Sequence, residues 1–417
     1  MWRITVLFIV TTGLAAAKVT YENYKLFRII PTMETHLEVL QSLNNENGFS
    51  YWQEPSWINR EALLMVSPHN LTDFYDSMKD FQATHELKID NIQKLINNTI
   101  PHNQSQNFDF NSYHNISNIY NNLDYLHKKY PKIVKLIGLC CSYENRYIKG
   151  IKLFAKRDDA QTHGIFIDGG MHGREWISPA TVMYILHQLL FSEDPRVRYI
   201  ADNHNWYIFP VLNPDGYEYS RTHDRLWSKT RKVLPWFEPF SSTCQGSNLN
   251  RNWNFRWNTI SNSSNPCNDN YPGNRPFSEQ EIDIVAHYMS NTTFHAYISF
   301  QGFGQKLMIP HAYTVQHNFF SYDWLLRLCK TVINNLEQKF NTKYEIGTIG
   351  ELDGLASGTS ADYVANILRK HLVVVYKLRD DGQYGFLQPS EQIIPTGKEA
   401  LEFLVSIFTE ALNVKMP

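Results

Sequence analysis

The sequence predicts an α/β domain with a mostly buried sheet over residues 113–417. A small α+β unit over 18–96 and an Asn-, Gln- and Ser-rich linker over 97–112 precede it. Three observations carry this. Past Tyr113, strand-like apolar runs alternate with helical patterns, which is how helices come to cover both faces of a sheet. One such run, Ile165-Phe166-Ile167, leads into Gly169-Gly170 and then a helical pattern from Ile177, a sharp strand-to-helix turn. Before residue 97 strand and helix patterns also mix, in a stretch long enough only for a small α+β fold.

In the first unit, Tyr24 to Ile30 alternates like a strand and Met33 to Leu43 has helical spacing. Ala62 to Val66 is a second strand, Leu71 to Gln82 a second helix, Glu86 to Ile89 a third strand, and Asn91 to Ile96 reads as helix. The linker carries Pro101. In the main domain Ile133–Gly138, Ile148–Ala155, Ile165–Asp168, Trp206–Leu212, Ala296–Phe300 and Leu372–Leu378 read as strands. Ile177–Phe191, Glu279–Met289 and Asn318–Phe340 read as helices. No internal repeat is present.

Apolar residues make up 43% of the 417, ample for a large core, and the net charge of −2 gives no basic face for nucleic acid. Residues 1–17, with an early Arg3, an apolar run from Val6 to Val10 and Ala15-Ala16-Ala17, read as a secretory signal peptide. The run is too short to span a bilayer, so the expectation is a secreted protein without a membrane span. Sequons at Asn70, Asn97, Asn103, Asn115, Asn262 and Asn291 fit glycosylation. Of the five cysteines, Cys140, Cys141, Cys244, Cys267 and Cys329, at least one is left over after pairing within the chain. Nothing in the sequence sets an oligomeric state or names a partner.

The strand-to-helix turn holds His172-Gly173-Arg174-Glu175. Open α/β sheets bind ligands where strands hand over to helices. An imidazole and a carboxylate three residues apart at such an exit suit one cation, and zinc is the usual one for that ligand mix. His-x-x-Glu alone recurs by chance. Most of the many Tyr and Trp side chains read as core packing, and His311 and His317, after Ile309-Pro310, as solvated loop histidines rather than ligands.

Further segments change the weight of that motif: Asn213-Pro214-Asp215-Gly216-Tyr217, Asp224-Arg225-Leu226-Trp227, Asn250-Arg251-Asn252-Trp253, Pro276-Phe277-Ser278-Glu279, Leu378-Arg379-Asp380 and Ile393-Ile394-Pro395-Thr396. In that order and spacing, over nearly the whole chain, the sequence resembles the secreted zinc metallocarboxypeptidases of the pancreatic A/B type. The resemblance implies a mixed eight-stranded twisted sheet flanked by helices, and a ferredoxin-like propeptide over 18–96 that shields the cleft. It implies zinc held by a His, a Glu and a second His, a Glu as general base, an Arg on the oxyanion, and an Asn-Arg pair with a Tyr on the substrate's C-terminal carboxylate. His172 and Glu175 match the first two ligands, Asn250 and Arg251 the carboxylate pair, and Arg174 a substrate-contacting arginine. Cys244 and Cys267 fall where that family has a disulfide, while Cys140, Cys141 and Cys329 have no such assignment.

Four chemical positions depart from the resemblance. Gln301 stands at the third ligand, and an amide oxygen is a poorer zinc ligand than imidazole. Ser228 stands at the oxyanion Arg and Lys377 at the general base. The closing Tyr falls on Gly354 or, counted back from Lys377, on Leu355. The specificity floor maps near Ala361, which carries no acid. The first reading is therefore a pseudo-peptidase with weak or absent zinc whose cleft binds peptide or protein C-termini. The rival is an active zinc carboxypeptidase removing non-basic C-terminal residues. Two expectations accompany the first: Lys377 pairs with Glu175 in place of the metal, and the propeptide stays attached, because no Lys or Arg lies between Leu95 and His127.

Overall fold

The computed structural model describes residues 18–44, 46–80, 84–100, 108–156, 163–233, 244–260 and 263–413. The expected signal peptide at 1–17, residues 101–107 of the expected linker, the end of the expected second helix at 81–82 and the sequons at Asn103 and Asn262 lie outside them.

The first unit is a four-stranded antiparallel sheet. Its strands are β1 (Lys25–Ile30), β2 (Phe49–Gln53), β3 (Ala62–Val66) and β4 (Thr84–Ile89), in the order β2-β3-β1-β4. Helices Glu34–Leu43 and Leu71–Asp80 complete a split βαβ pattern. Phe27, Ile29, Leu64, Val66 and Phe74 fill its core.

The second unit is a mixed eight-stranded sheet: β5 (Val134–Leu139), β6 (Ile148–Leu153), β7 (His163–Asp168), β8 (His204–Phe209), β9 (Ala296–Phe303), β10 (Lys306–Ile309), β11 (Glu345–Thr348) and β12 (Leu372–Leu378). The order is β11-β10-β12-β9-β7-β8-β6-β5. The central strands β12, β9, β7 and β8 run parallel. Ile165, Phe166 and Ile167 are fully buried, as a strand covered on both faces requires. Helix Ile393–Asn413 packs against both Ile177–Phe191 and Tyr322–Phe340.

Several boundaries differ from the sequence reading. The strand expected over Trp206–Leu212 runs from His204 to Phe209, because Pro210 lacks the N–H a central ladder needs. β10 and β11 have four residues each, too few to show a period. Helix Ile393–Asn413 escapes a reading by pattern because Pro395 interrupts its first turn.

The first unit sits over the carboxyl ends of the parallel strands. Trp52 lies 6.3 Å from the Phe303 ring and 5.5 Å from Phe386, ring centre to ring centre. With Leu26, Leu63, Ile92, Ile96, Leu226 and Leu387 these rings form one apolar cluster shared by both units. Polar contacts ring it. Tyr21 Oη donates to Asp224 at 2.7 Å, Trp57 Nε1 to the Gly350 carbonyl at 3.0 Å, and Asn268 Nδ2 to the Asn44 carbonyl at 3.1 Å; Arg60 pairs with Glu345. Lys94, the last basic residue before the gap, lies in helix Ile92–Thr99. Proteases cut flexible chain rather than helix. Brief trypsin treatment followed by mass spectrometry is therefore expected to give no product beginning between residues 95 and 113. A clean product starting at Leu95 would show that the helix opens.

Candidate functional site

The site begins where β7 ends. Gly170 adopts φ +59 and swings the chain off the sheet. Ser178 Oγ donates to the Phe300 carbonyl at 2.6 Å and accepts from Gly170 N–H at 3.0 Å, pinning the turn to β9. This fixes His172 and Glu175 at the mouth of the sheet. His172 Nδ1 lies 2.9 Å from Glu175 Oε1, and Glu175 Oε2 accepts from Gly302 N–H at 2.8 Å. Burial pushes the Glu175 carboxyl up, but His172, the Gly302 amide and Arg174 outweigh it and hold it below its ordinary value.

β9 brings in Gln301, 5% exposed, with its Nε2 unpartnered in a buried position. Gln301 faces Lys377 in the register of β9 and β12, and Lys377 faces Lys306 in that of β12 and β10. Both lysines converge on Asp353. Lys377 Nζ is 2.5 Å from Asp353 Oδ2, and Lys306 Nζ is 3.1 Å from Oδ1. Burial alone would raise the Asp353 carboxyl, yet the two ammonium groups hold it well below the usual carboxylate range. The expected Lys377–Glu175 pair is therefore absent. Glu175 already has His172 and a backbone amide, and Asp353 offers Lys377 a carboxylate shared with a second lysine.

Ser228 lies in the cleft wall, 4% exposed, and its carbonyl accepts from Gly173 N–H at 2.9 Å. Of the two candidates for the closing Tyr position, Gly354 lines the cleft and Leu355 does not. Gly354 has φ +89 and ψ 165, a region open essentially to glycine alone, and a Cβ there would lie 2.9 Å from Ser56 Cβ. Ala361, 1% exposed, also lines the cleft and brings no charge.

Asn250 Oδ1 accepts from Ser360 N–H at 3.0 Å, and Arg251 Nη1 donates to the Asn250 carbonyl at 2.9 Å. Arg251 also feels Glu54, on the first unit, and Asp353, which counter part of the fall that burial imposes on its pKa. Arg174 pairs with Asp269 at 2.9 Å and stacks on Phe386 at 4.2 Å. Tyr51, Trp52, Gln53 and Glu54 roof the cleft, leaving about 140 Å³, room for a few waters or one side chain.

Sequence reasoning missed Asn248. Its Oδ1 lies 3.2 Å from His172 Nε2, the position that orients a ligating histidine. A carboxylate there raises ligand basicity, whereas an amide does so weakly. It stands two residues before Asn250, so the motif pointed at it. Asp353 was missed because only the fold brings it to Lys377.

The donor set does not fit a structural or catalytic zinc. His172 and Glu175 lie close enough to share a cation, but the third position is an amide, and the outer partner is an amide. Among the described residues, no three His, Cys, Asp or Glu side chains gather to hold a metal. His311 is corrected as well. It is 2% exposed, its Nδ1 sits 2.9 Å from Asn318 Oδ1, and burial lowers its pKa, so it is a wall residue rather than a solvated one. His317 is exposed as expected and meets Glu351 at 2.7 Å. Cys244 and Cys267 form the expected disulfide, Cys140 and Cys141 are joined to each other, and Cys329 is a buried thiol whose pKa burial pushes up.

Comparison with known proteins agrees with the fold and its two units. The family profile described as zinc carboxypeptidase matches residues 119–403, and that described as carboxypeptidase activation peptide matches 27–99. The chain is 35% identical to zinc carboxypeptidase A 1 of Anopheles gambiae over 406 residues, covering 95% of this chain and 92% of that one. It is 38% identical to carboxypeptidase B of Astacus astacus over 304 residues, covering 70% and 95%. Among solved structures, thrombin-activatable fibrinolysis inhibitor superposes with a TM-score of 0.83 at 25% identity, covering 94% of this chain and 100% of that one.

Proposed function

This chain belongs to the zinc carboxypeptidase family, and from that premise we propose that it is an inactive member whose cleft holds peptide or protein C-termini without cutting them. The observation that carries the reading is the 2.5 Å pairing of Lys377 with Asp353 at the general-base position. An ammonium held on an ionised carboxylate has no lone pair with which to take a proton from water. When bound, zinc in this family activates a water and polarises a carbonyl. Here the residues offer positioning. Arg251 suits a terminal carboxylate through its planar fork. The unpartnered Gln301 Nε2 offers an N–H to the last peptide carbonyl. Ala361 gives no preference for a basic terminal side chain. Passage through a secretory route, with the segment 1–17 removed, belongs to the same reading; no helix among the described residues is long and apolar enough to cross a membrane.

The rival, an active peptidase, is favoured by one observation, the retained His172–Glu175 pair at 2.9 Å. A binding experiment addresses the proposal. Trp52→Ala removes the largest apolar contact of the roof, at a cost of about 3–5 kcal/mol for a well-packed site, and so loosens the cover. That variant is expected to bind a blocked dipeptide with a free carboxylate and to bind its C-terminal amide far more weakly, with the preference lost in Trp52→Ala/Arg251→Ala. Equal binding of acid and amide would end the proposal.

A further inference from the structure

At the opposite end of the sheet, where β9 and β12 begin at Ala296 and Leu372, a second cavity opens between the 310–321 loop and the 366–371 turn. Its lining shares no residue with the cleft, and along β12, at about 3.3 Å per residue, His371 lies roughly 13 Å from Val375 in the cleft wall. It encloses about 330 Å³, the lower end of the roughly 300–1,000 Å³ typical of small-molecule sites. In a chain of net charge −2, its lining includes Arg369, Lys370, His371 and His311, and no acid.

Arg369 is exposed, and neither it nor Lys370 has a carboxylate partner among the described residues. Lys370 Nζ lies 4.7 Å from the Phe294 ring centre. His371 Nδ1 is taken by Ser321 Oγ at 2.7 Å. His311 Nδ1 faces the Asn318 carbonyl oxygen, which places the lone pair on Nε2, buried at the wall without a well-formed hydrogen bond although Asn366 is near. An unsatisfied buried acceptor costs free energy until a donor reaches it. At the rim Phe320 is 75% exposed, its ring centre 5.3 Å from that of His371.

We propose that this cavity binds a sugar carrying an oxyanion, phosphate or sulfate, separately from the cleft. Arg369 and Lys370 hold the anion, the flat face of the ring lies on Phe320, and a ring hydroxyl donates to His311 Nε2. The three requirements fall on one ligand class, since a bare anion uses only the cations and a neutral sugar only the ring and the acceptor.

Calorimetric titration of the full chain tests this with glucose 6-phosphate, glucose 6-sulfate, glucose and inorganic phosphate. Both esters are expected to bind in the millimolar range or tighter, and the two uncombined halves at least about tenfold more weakly. The relative affinity of the two esters tells phosphate from sulfate. Arg369→Asn with Lys370→Gln, where Asn tolerates the left-handed φ of +54, is expected to weaken both esters about tenfold or more. Phe320→Ala, at an exposed position that leaves folding alone, is expected to weaken the esters and not inorganic phosphate. No ester binding at millimolar concentration, esters no tighter than inorganic phosphate, or esters indifferent to the cation and Phe320 variants would each overturn the proposal.

Discussion

Protein supplied with zinc and freed of its N-terminal unit is expected to leave blocked dipeptides uncut, whether their C-terminal residue is aliphatic, aromatic or basic. Loss of a general base costs roughly 10²–10⁴ in rate, and loss of an oxyanion donor roughly 10²–10³. These factors do not multiply, because the groups act as one unit. The larger alone leaves turnover near the noise of an ordinary assay. Lys377 is worse than an absent base, since its charge is anchored on Asp353 and placed beside Gln301 in the adjacent strand. Single restorations are expected to do almost nothing. Gln301→His, Ser228→Arg and Lys377→Glu together give the informative comparison. A metal-dependent rate in the unaltered chain within about 10³-fold of an ordinary enzyme kcat would refute the inactive reading.

The second large effect concerns the metal. After dialysis against micromolar zinc at neutral pH, elemental analysis is expected to find well under one zinc per chain. Structural zinc sites take four strong ligands and catalytic ones three with a water. Here His172 and Glu175 remain, Gln301 supplies an amide, and Asn248 supplies the outer contact to His172. Outer partners alone are worth about 10–100-fold in metal affinity. Gln301→His together with Asn248→Asp is expected to raise zinc occupancy much more than either change. Tightly held, stoichiometric zinc in the unaltered chain would mean that an amide or a water completes the site, and the peptidase reading would return.

Much of the fold is legible in the amino-acid sequence. The parallel strands announce themselves because a strand buried on both faces is a solid apolar run, as Ile165-Phe166-Ile167 is. The four departures can be read as expectations because ordered motifs fix the register around Gln301, Ser228, Gly354 and Lys377. What is not legible is what side chains do across the fold. Lys377 can be placed near Glu175 by strand position, but its choice of Asp353 depends on Lys306 sharing that carboxylate from the next strand over. His311 reads as a loop residue after Ile309-Pro310, yet the loop folds back and buries it against Phe319 and Tyr313. β10 and β11 are too short to leave a periodic trace.

Gly354 gives the molecule a direction in time. Its backbone sits at φ +89 and ψ 165, and Ser56 occupies the space a side chain would need. If a lineage with tyrosine at this place led to this chain, the step that brought glycine let the backbone settle into a conformation tyrosine is denied, at a penalty of order 1–3 kcal/mol. The way home then needs a bent-back loop and a cleared neighbour before the missing letter is of any use. Point mutation, which can rewrite Gln301, Ser228 and Lys377 one at a time, meets a ratchet here.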